Sequence, residues 1–147
     1  MKAYLGIDLG SVSTNFIVMG EDGEVLVNLY LRTQGNPIKA VKTGLAQTQT
    51  ELPAGVTIAG VGSTGSGRQL AGIMAGADTI KNEITAHGVA AASEVPGVHT
   101  VLEIGGQDSK IIILRDSVVT NFAMNTVCAA GTKTAMRFYE FNNKDFA

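Results

Sequence analysis

Two acidic residues, Asp8 and Glu103, each follow an apolar run and precede a stretch rich in glycine. After Asp8 the residues Gly10 to Ser13 predict a tight turn whose backbone N–H groups can converge on an anion. A carboxylate beside such a turn disfavours a bare phosphate, because like charges repel. A divalent cation between the two groups resolves this conflict, since Mg²⁺ is commonly held by one or two carboxylates together with phosphate oxygens.

The two acidic segments are copies of one pattern, which indicates a single internal duplication. Aligning Glu103 with Asp8 matches Leu102 with Ile7, Ile104 with Leu9, Gly105 with Gly10, and the apolar run 111–114 with the run 16–19. Two equivalent acid-bearing hairpins that face each other would hold a nucleotide triphosphate and its metal from both sides. The sequence therefore predicts a nucleotide clamp.

The composition limits the class of protein. A chain of 147 residues with 45% apolar residues can bury the core of one domain, or of a domain and part of another. Its net charge of −2 argues against nucleic acid as a partner. No apolar run has the length of a membrane span and no secretory signal is visible, so we expect no membrane association. The single cysteine excludes an internal disulfide, and we expect a cytoplasmic protein.

Periodicity and turn signals predict the order β-β-β-α-β-α-α followed by β-β-β. The expected strands lie near residues 1–7, 16–19, 24–31 and 56–62, a second hairpin of two strands covers 100–114, and a last strand lies at 118–124 after a turn at 115–117. A first helix begins at Pro37 with Asn36 as its N-cap and ends near Glu51. Another covers 82–94, and Pro96-Gly97 marks a boundary. This order predicts a mixed α/β sheet covered by helices.

Four other features carry weaker signals. The loop G-S-T-G-S-G at 62–67, followed by Arg68, either binds phosphate at a helix start or simply connects a strand to a helix, with Arg68 solvated. Lys110 is interpreted as a solvated residue at the edge of a strand. His87 is interpreted as a packed or solvated residue of a helix rather than as a ligand, and His99 is assigned no chemistry.

Several motifs together resemble the actin/Hsp70/sugar-kinase superfamily, and within it the BadF/BadG/BcrA/BcrD ATPases, which activate 2-hydroxyacyl-CoA dehydratases and benzoyl-CoA reductases. The matching stretches are G-I-D-L-G-S at 6–11, G-S-T-G-S-G-R at 62–68, N-E-I-T-A-H at 82–87, I-G-G-Q-D-S-K at 104–110 and N-T-V-C-A-A-G-T at 125–132. The resemblance implies a ribonuclease H-like, actin-like ATPase fold. Its first subdomain would be complete over 1–97, a second would begin over 98–132, and the tail 133–147 stays unassigned.

The resemblance also implies an activity. Such activators are homodimers that bind ATP in each protomer and share one bridging 4Fe-4S cluster, to which each protomer supplies two cysteines. They pass one electron to a CoA-ester dehydratase or reductase. Carried over by motif, Asp8 and Glu103 would surround Mg²⁺, Gln107 and Asp108 would position the attacking water, and Cys128 would be a cluster ligand. The phosphate contacts would come from Gly10, Ser11, Val12, Ser13, Gly105, Gly106 and Gln107.

The sequence departs from the family pattern at several positions. Glu103 replaces the usual aspartate, Ala86 replaces a usual cysteine, and Lys133 replaces the glycine that ends the cysteine motif. The second cluster cysteine and the adenosine-binding Gly-Gly motif are absent. We therefore expect the ATPase activity in a full-length protein, and expect the truncated chain to be inactive. Two alternatives stay open, a small-molecule kinase of the same superfamily and a non-catalytic nucleotide-binding module.

Overall fold

Three antiparallel strands open the chain: β1 (Lys2–Leu9), β2 (Ser13–Gly20) and β3 (Val25–Arg32). This is a computed structural model, which describes residues 1–105 and 109–124. Strands β1 and β2 pair from Ala3↔Gly20 to Leu9↔Thr14. The turn that joins them covers residues 10–13, of which Ser13 is already the first residue of β2. The short loop fixes the register, as tight hairpin connections do.

A crossover follows the meander and returns the chain to β1. Helix α1 (Pro37–Glu51) leads to β4 (Thr57–Thr64), which pairs parallel to β1, and α2 (Arg68–Ala75) leads to the two-residue strand β5 (Thr79–Ile80). The sheet order is β3-β2-β1-β4-β5. The carboxyl ends of β1 and β4 therefore lie side by side, with Asp8 in register with Thr64.

The core of this unit lies between one face of the sheet and both helices. Alternate residues of β1 and β2 point into it, and Val41 of α1 and Ala71 of α2 pack on them. Its completely or almost completely buried members include Ala3, Ile7, Leu9, Phe16 and Val18. The opposite face carries Tyr4, Met19 and Tyr30, which are 45%, 42% and 66% exposed. Period-two alternation thus places the apolar set of each strand under the helices.

Contacts divide the chain into a first unit, Met1–Glu83, and a second unit that begins at Ile84. Helix α3 (Glu83–Glu94) leads into the second unit. There β6 (Thr100–Ile104), β7 (Ser109–Arg115) and β8 (Val118–Met124) form an antiparallel sheet with β7 in the middle. A Cβ on Gly88 of α3 would overlap Val119 of β8, so this helix packs closely on that sheet. The contact boundary falls after Glu83, the first residue of α3, whereas the sequence predicted a boundary at Pro96-Gly97, beyond the helix.

Most elements lie where the sequence predicts them. Helix α1 begins at Pro37, and the Asn36 side chain accepts a hydrogen bond from the Lys39 backbone N–H, as expected of an N-cap. The mixed α/β fold is confirmed. The prediction missed β5, because two residues are too short for a periodic signal. In the part of the chain that the structure describes, no helix has the length and apolar character needed to cross a membrane.

Candidate functional site

The first acidic hairpin places Asp8 at the carboxyl end of β1, next to the turn that follows it. Asp8 is half-buried, whereas Ser11 and Val12 at the tip of the turn are exposed. The Gly10 backbone N–H donates to the Ser13 carbonyl oxygen at 2.9 Å, which closes the turn. Because this amide hydrogen is used within the loop, the contribution of Gly10 is to shape the turn. An anion would meet the exposed residues beyond it.

A second loop, between β4 and α2, lies against the same end of β1. Gly65 adopts a φ of +91°, and a Cβ at this position would overlap the Asp8 carboxylate and the Leu9 carbonyl oxygen. The Gly67 backbone N–H donates to that Leu9 carbonyl at 2.8 Å. Glycine is required at Gly65 both for the left-handed backbone and for the close approach. The loop 62–67 thus forms one wall of the Asp8 site.

Arg68, the first residue of α2, is used within this loop. Its guanidinium Nη1 donates to the Gly65 carbonyl at 3.1 Å, and the Ser63 hydroxyl donates to the Arg68 carbonyl at 3.0 Å. These bonds hold the loop in shape beside Asp8. Arg68 therefore stabilises the conformation of the loop. The simpler of the two interpretations had expected a solvated arginine.

Two buried threonines support the first hairpin from the side of β3. The hydroxyl oxygens of Thr14 and Thr33 lie 2.9 Å apart, and the Thr33 hydroxyl donates to the Gly10 carbonyl at 2.8 Å. The Thr33 backbone N–H donates to the Val12 carbonyl at 2.9 Å. Thr33 is 19 residues from Thr14 and directly follows β3. The hairpin is therefore held by the segment that leads into α1.

The groups around Asp8 are suited to Mg²⁺ with a phosphate. Asp8 supplies a hard carboxylate oxygen, and the hydroxyl of its register partner Thr64 is buried without a hydrogen-bond partner. Among residues 1–105 and 109–124, no group of three or more His, Cys, Asp or Glu side chains could hold a metal ion by itself. Mg²⁺ does not need one, because it usually keeps one or two carboxylates and takes the rest of its ligands from phosphates and water. The donor set fits a phosphate-bound magnesium ion.

The second acidic hairpin has the same register as the first. Asp8 pairs with Asn15 across β1 and β2, and Glu103 pairs with Lys110 across β6 and β7, so the acid faces the residue seven positions on in both. Glu103 Oε2 lies 2.9 Å from Lys110 Nζ. Their side chains are 22% and 4% exposed, respectively. The position that Asn15 occupies in the first copy is thus a lysine in the second, and its ammonium pairs with the acid.

The interpretation of Lys110 as a solvated edge residue is wrong. Strand β7 is the central strand of its sheet, and the Lys110 side chain is nearly completely buried. A lysine in such a place is normally paired, because an isolated buried charge is costly. Here the cross-strand carboxylate of Glu103 supplies the counter-charge.

Some predicted site residues lie outside the described part of the chain. These are Gly106, Gln107, Asp108 and Cys128. Gly105, which is described, directly follows β6 and is exposed. The clamp formed by the Asp8 and Glu103 hairpins stays a prediction, as do the water-positioning and cluster roles.

The sequence analysis missed three residues that the structure brings to the hairpins. Thr33 contacts the turn of the first hairpin, Thr14 contacts Thr33, and Lys110 contacts Glu103, but each carries only a weak local signal. Thr33 follows a strand in a polar stretch, where a hydroxyl is ordinary. Only the strand register shows that it meets Gly10 and Val12.

Comparison with known proteins supplies the family. The model of the BadF/BadG/BcrA/BcrD ATPase family matches residues 5–140. The (R)-2-hydroxyglutaryl-CoA dehydratase activating ATPase of Acidaminococcus fermentans is 37% identical over 138 residues, which cover 90% of this chain and 50% of that protein.

Solved structures agree with this match. Component A of the Acidaminococcus fermentans (R)-2-hydroxyglutaryl-CoA dehydratase has a TM-score of 0.70 at 30% identity, covering 91% of this chain and 51% of that one. The activator of the 2-hydroxyisocaproyl-CoA dehydratase from Clostridium difficile, solved with bound ADPNP, has a TM-score of 0.69 at 26% identity and covers 95% and 53%. The chain thus spans about half the length of these relatives. With the family match extending over most of its residues, the chain belongs to the BadF/BadG/BcrA/BcrD ATPase family.

Proposed function

We propose that this chain is the N-terminal part of an ATP-dependent activator that donates one electron to a 2-hydroxyacyl-CoA dehydratase or a benzoyl-CoA reductase type of enzyme. The observation that carries the proposal is the position of Asp8. It stands between the Gly10–Ser13 turn and the Gly65 loop, in a chain that is 37% identical to a dehydratase-activating ATPase.

In this proposal Asp8 holds Mg²⁺, directly or through water, and the exposed end of the first hairpin contacts phosphate oxygens. Bound Mg²⁺ neutralises charge that develops on the phosphates during transfer. Glu103 acts at the same metal from the second hairpin, with Gly105, Gly106 and Gln107 on phosphates and Gln107 and Asp108 orienting the attacking water. Phosphoryl transfer depends mainly on such positioning, so few other groups are required.

The electron-donor part of the proposal needs a cluster that this sequence alone does not fit. A 4Fe-4S cluster takes four thiolates, and the chain has one cysteine, Cys128. Two copies of this sequence supply two thiolates. A homodimer that shares one cluster therefore needs a second cysteine from each protomer, which the residues present do not supply. A cytoplasmic location accords with thiolate ligands, which a reducing compartment preserves.

The proposal is tested in a protein of the relatives' full length that carries this chain. Anaerobically purified protein is expected to hydrolyse ATP and to activate a 2-hydroxyacyl-CoA dehydratase only when Mg-ATP and a reductant are both present. ADP release that depends on an added sugar or other phosphate acceptor would instead identify a kinase. Mg-ATP binding without turnover in any of these assays would identify a non-catalytic nucleotide-binding module.

A further inference from the structure

Thr14 and Thr33 form a hydrogen-bonded hydroxyl pair inside the first unit, where they are 0% and 4% exposed. The Thr33 hydroxyl has a single hydrogen, which it donates to the Gly10 carbonyl at 2.8 Å. The Thr14 hydroxyl must therefore be the donor in the 2.9 Å contact with Thr33. Thr14 thus donates to Thr33, and Thr33 donates to the Gly10 carbonyl of the hairpin.

Thr33 contacts the hairpin twice, on either side of Ser11. Its hydroxyl fixes the Gly10 carbonyl, and its backbone N–H fixes the Val12 carbonyl at 2.9 Å. In a planar trans peptide the N–H bond of the next residue points in the direction opposite to the C=O bond. Fixing these two carbonyls therefore also fixes the directions of the Ser11 and Ser13 amides, which belong to the turn predicted to receive phosphate.

Thr33 is itself held in place from the other side. Its carbonyl accepts the Asn36 backbone N–H at 2.9 Å, across a turn in which Gln34 and Gly35 have φ values of 50° and 68°. Asn36 caps α1, and Ala40 of that helix is in the core. The turn before α1 thus holds Thr33 in place, and Thr33 in turn holds the first hairpin.

We propose that Thr33, with Thr14 behind it, is a positioning residue that aims the Ser11 and Ser13 amides of the hairpin at the phosphates of the nucleotide. The assignment to nucleotide phosphates rests on the function proposed above. Thr33 acts through the hairpin and contacts no reacting atom. Replacing its hydroxyl by a methyl group keeps the shape of the side chain but releases the Gly10 carbonyl and leaves the Thr14 hydroxyl without its acceptor.

The test compares Thr33→Val, Thr33→Ser and a control, Thr50→Val, in the protein of the relatives' full length that carries this chain, because the 147 residues lack the adenosine-binding motif. Thr50 is an exposed threonine of α1 whose hydroxyl donates to the Ala46 carbonyl, so the control removes a similar bond far from the hairpin. Amide NMR gives the hydrogen-exchange rates of Ser11 and Ser13, and the same spectra followed during titration with Mg-ATP give the affinity, even when it is weak.

Thr33→Val is expected to weaken Mg-ATP binding about 5- to 10-fold, the effect of one lost hydrogen bond beside an anion site, and to speed exchange at Ser11 and Ser13. Thr33→Ser is expected to restore both to within about twofold, and Thr50→Val to leave both unchanged. If Thr33→Val does not fold, the double variant Thr14→Val/Thr33→Val replaces the pair by apolar groups of similar shape and gives the same readout.

Wild-type affinity and unchanged exchange in a folded valine variant would overturn the inference, and so would a failure of serine to rescue. A wild-type chain that shows no shift with Mg-ATP would contradict the proposed function instead. The exchange rates would then still decide the role of Thr33, because rates equal to wild type would show that it does not fix the hairpin.

Discussion

Glu103 and Lys110 face each other across β6 and β7, with Oε2 and Nζ 2.9 Å apart and the lysine only 4% exposed. The pair stands where Asp8 and Asn15 stand in the first hairpin. The duplicated hairpins therefore differ in charge. The first presents an acid beside an amide, and the second presents an acid whose charge a buried ammonium balances.

Removing the cation should destabilise the second unit. Lys110→Met leaves Glu103 without its ion-pair partner, and we expect a loss of about 2–3 kcal/mol in the free energy of unfolding, less than for a fully buried pair because Glu103 is partly exposed. Urea unfolding measures this loss. The double variant Glu103→Leu/Lys110→Met should recover much of it. The losses of Lys110→Met and of Glu103→Leu, each measured alone, should add up to more than the loss in the double variant. If they add up to the same loss, the ion-pair account is contradicted.

Gly65 should be intolerant of any side chain. Its φ of +91° and the contact of a Cβ with Asp8 and Leu9 combine strain with overlap, so Gly65→Ala should cost roughly 3 kcal/mol. Gly55→Ala is a matched control, because Gly55 also has a positive φ, +81°, but nothing lies within 4 Å of its Cβ position. That variant should lose only about 1 kcal/mol. Equal losses in thermal or urea unfolding would refute the close packing of the loop on Asp8.

Gly44 should behave unlike an ordinary glycine of a helix. Glycine to alanine normally stabilises a helix by about 1 kcal/mol. A Cβ on Gly44 would overlap the ring of Phe16, which is fully buried, so Gly44→Ala should instead destabilise by about 1–2 kcal/mol. Gln49→Ala, at an exposed position of the same helix, should change stability by no more than about 0.5 kcal/mol. A gain in melting temperature for Gly44→Ala would show that α1 does not pack on β2 as described.

Local signals explain how much of the structure could be predicted. Asn36 and Pro37 determined the start of α1, because capping depends only on neighbouring residues. The alternation in β1 gave its buried face, and the repeated acid predicted two hairpins of equal register. The cap, the alternation and each hairpin are set by residues that lie close together in the sequence.

What could not be predicted depends on contacts between distant residues. The bond from Thr33 to Gly10 joins positions 23 apart, and the burial of Lys110 follows from β7 being a central strand. Neither the type nor the spacing of these residues distinguishes them from solvated polar residues. Strand pairing had to be known first.

The account depends most on Asp8 holding the Mg²⁺ of a bound nucleotide triphosphate. Titration of Asp8→Asn with Mg-ATP, in the protein of the relatives' full length that carries this chain, tests this most directly. Amide NMR of the first hairpin measures the affinity with Mg²⁺ and with EDTA in its place. Glu51→Gln, the same change of charge at an exposed end of α1, is the control. We expect wild type and control to bind only with Mg²⁺ and Asp8→Asn to bind at least about tenfold more weakly, since a lost metal ligand costs more than one hydrogen bond. Binding by Asp8→Asn equal to that of wild type, or binding that persists in EDTA, would contradict the account.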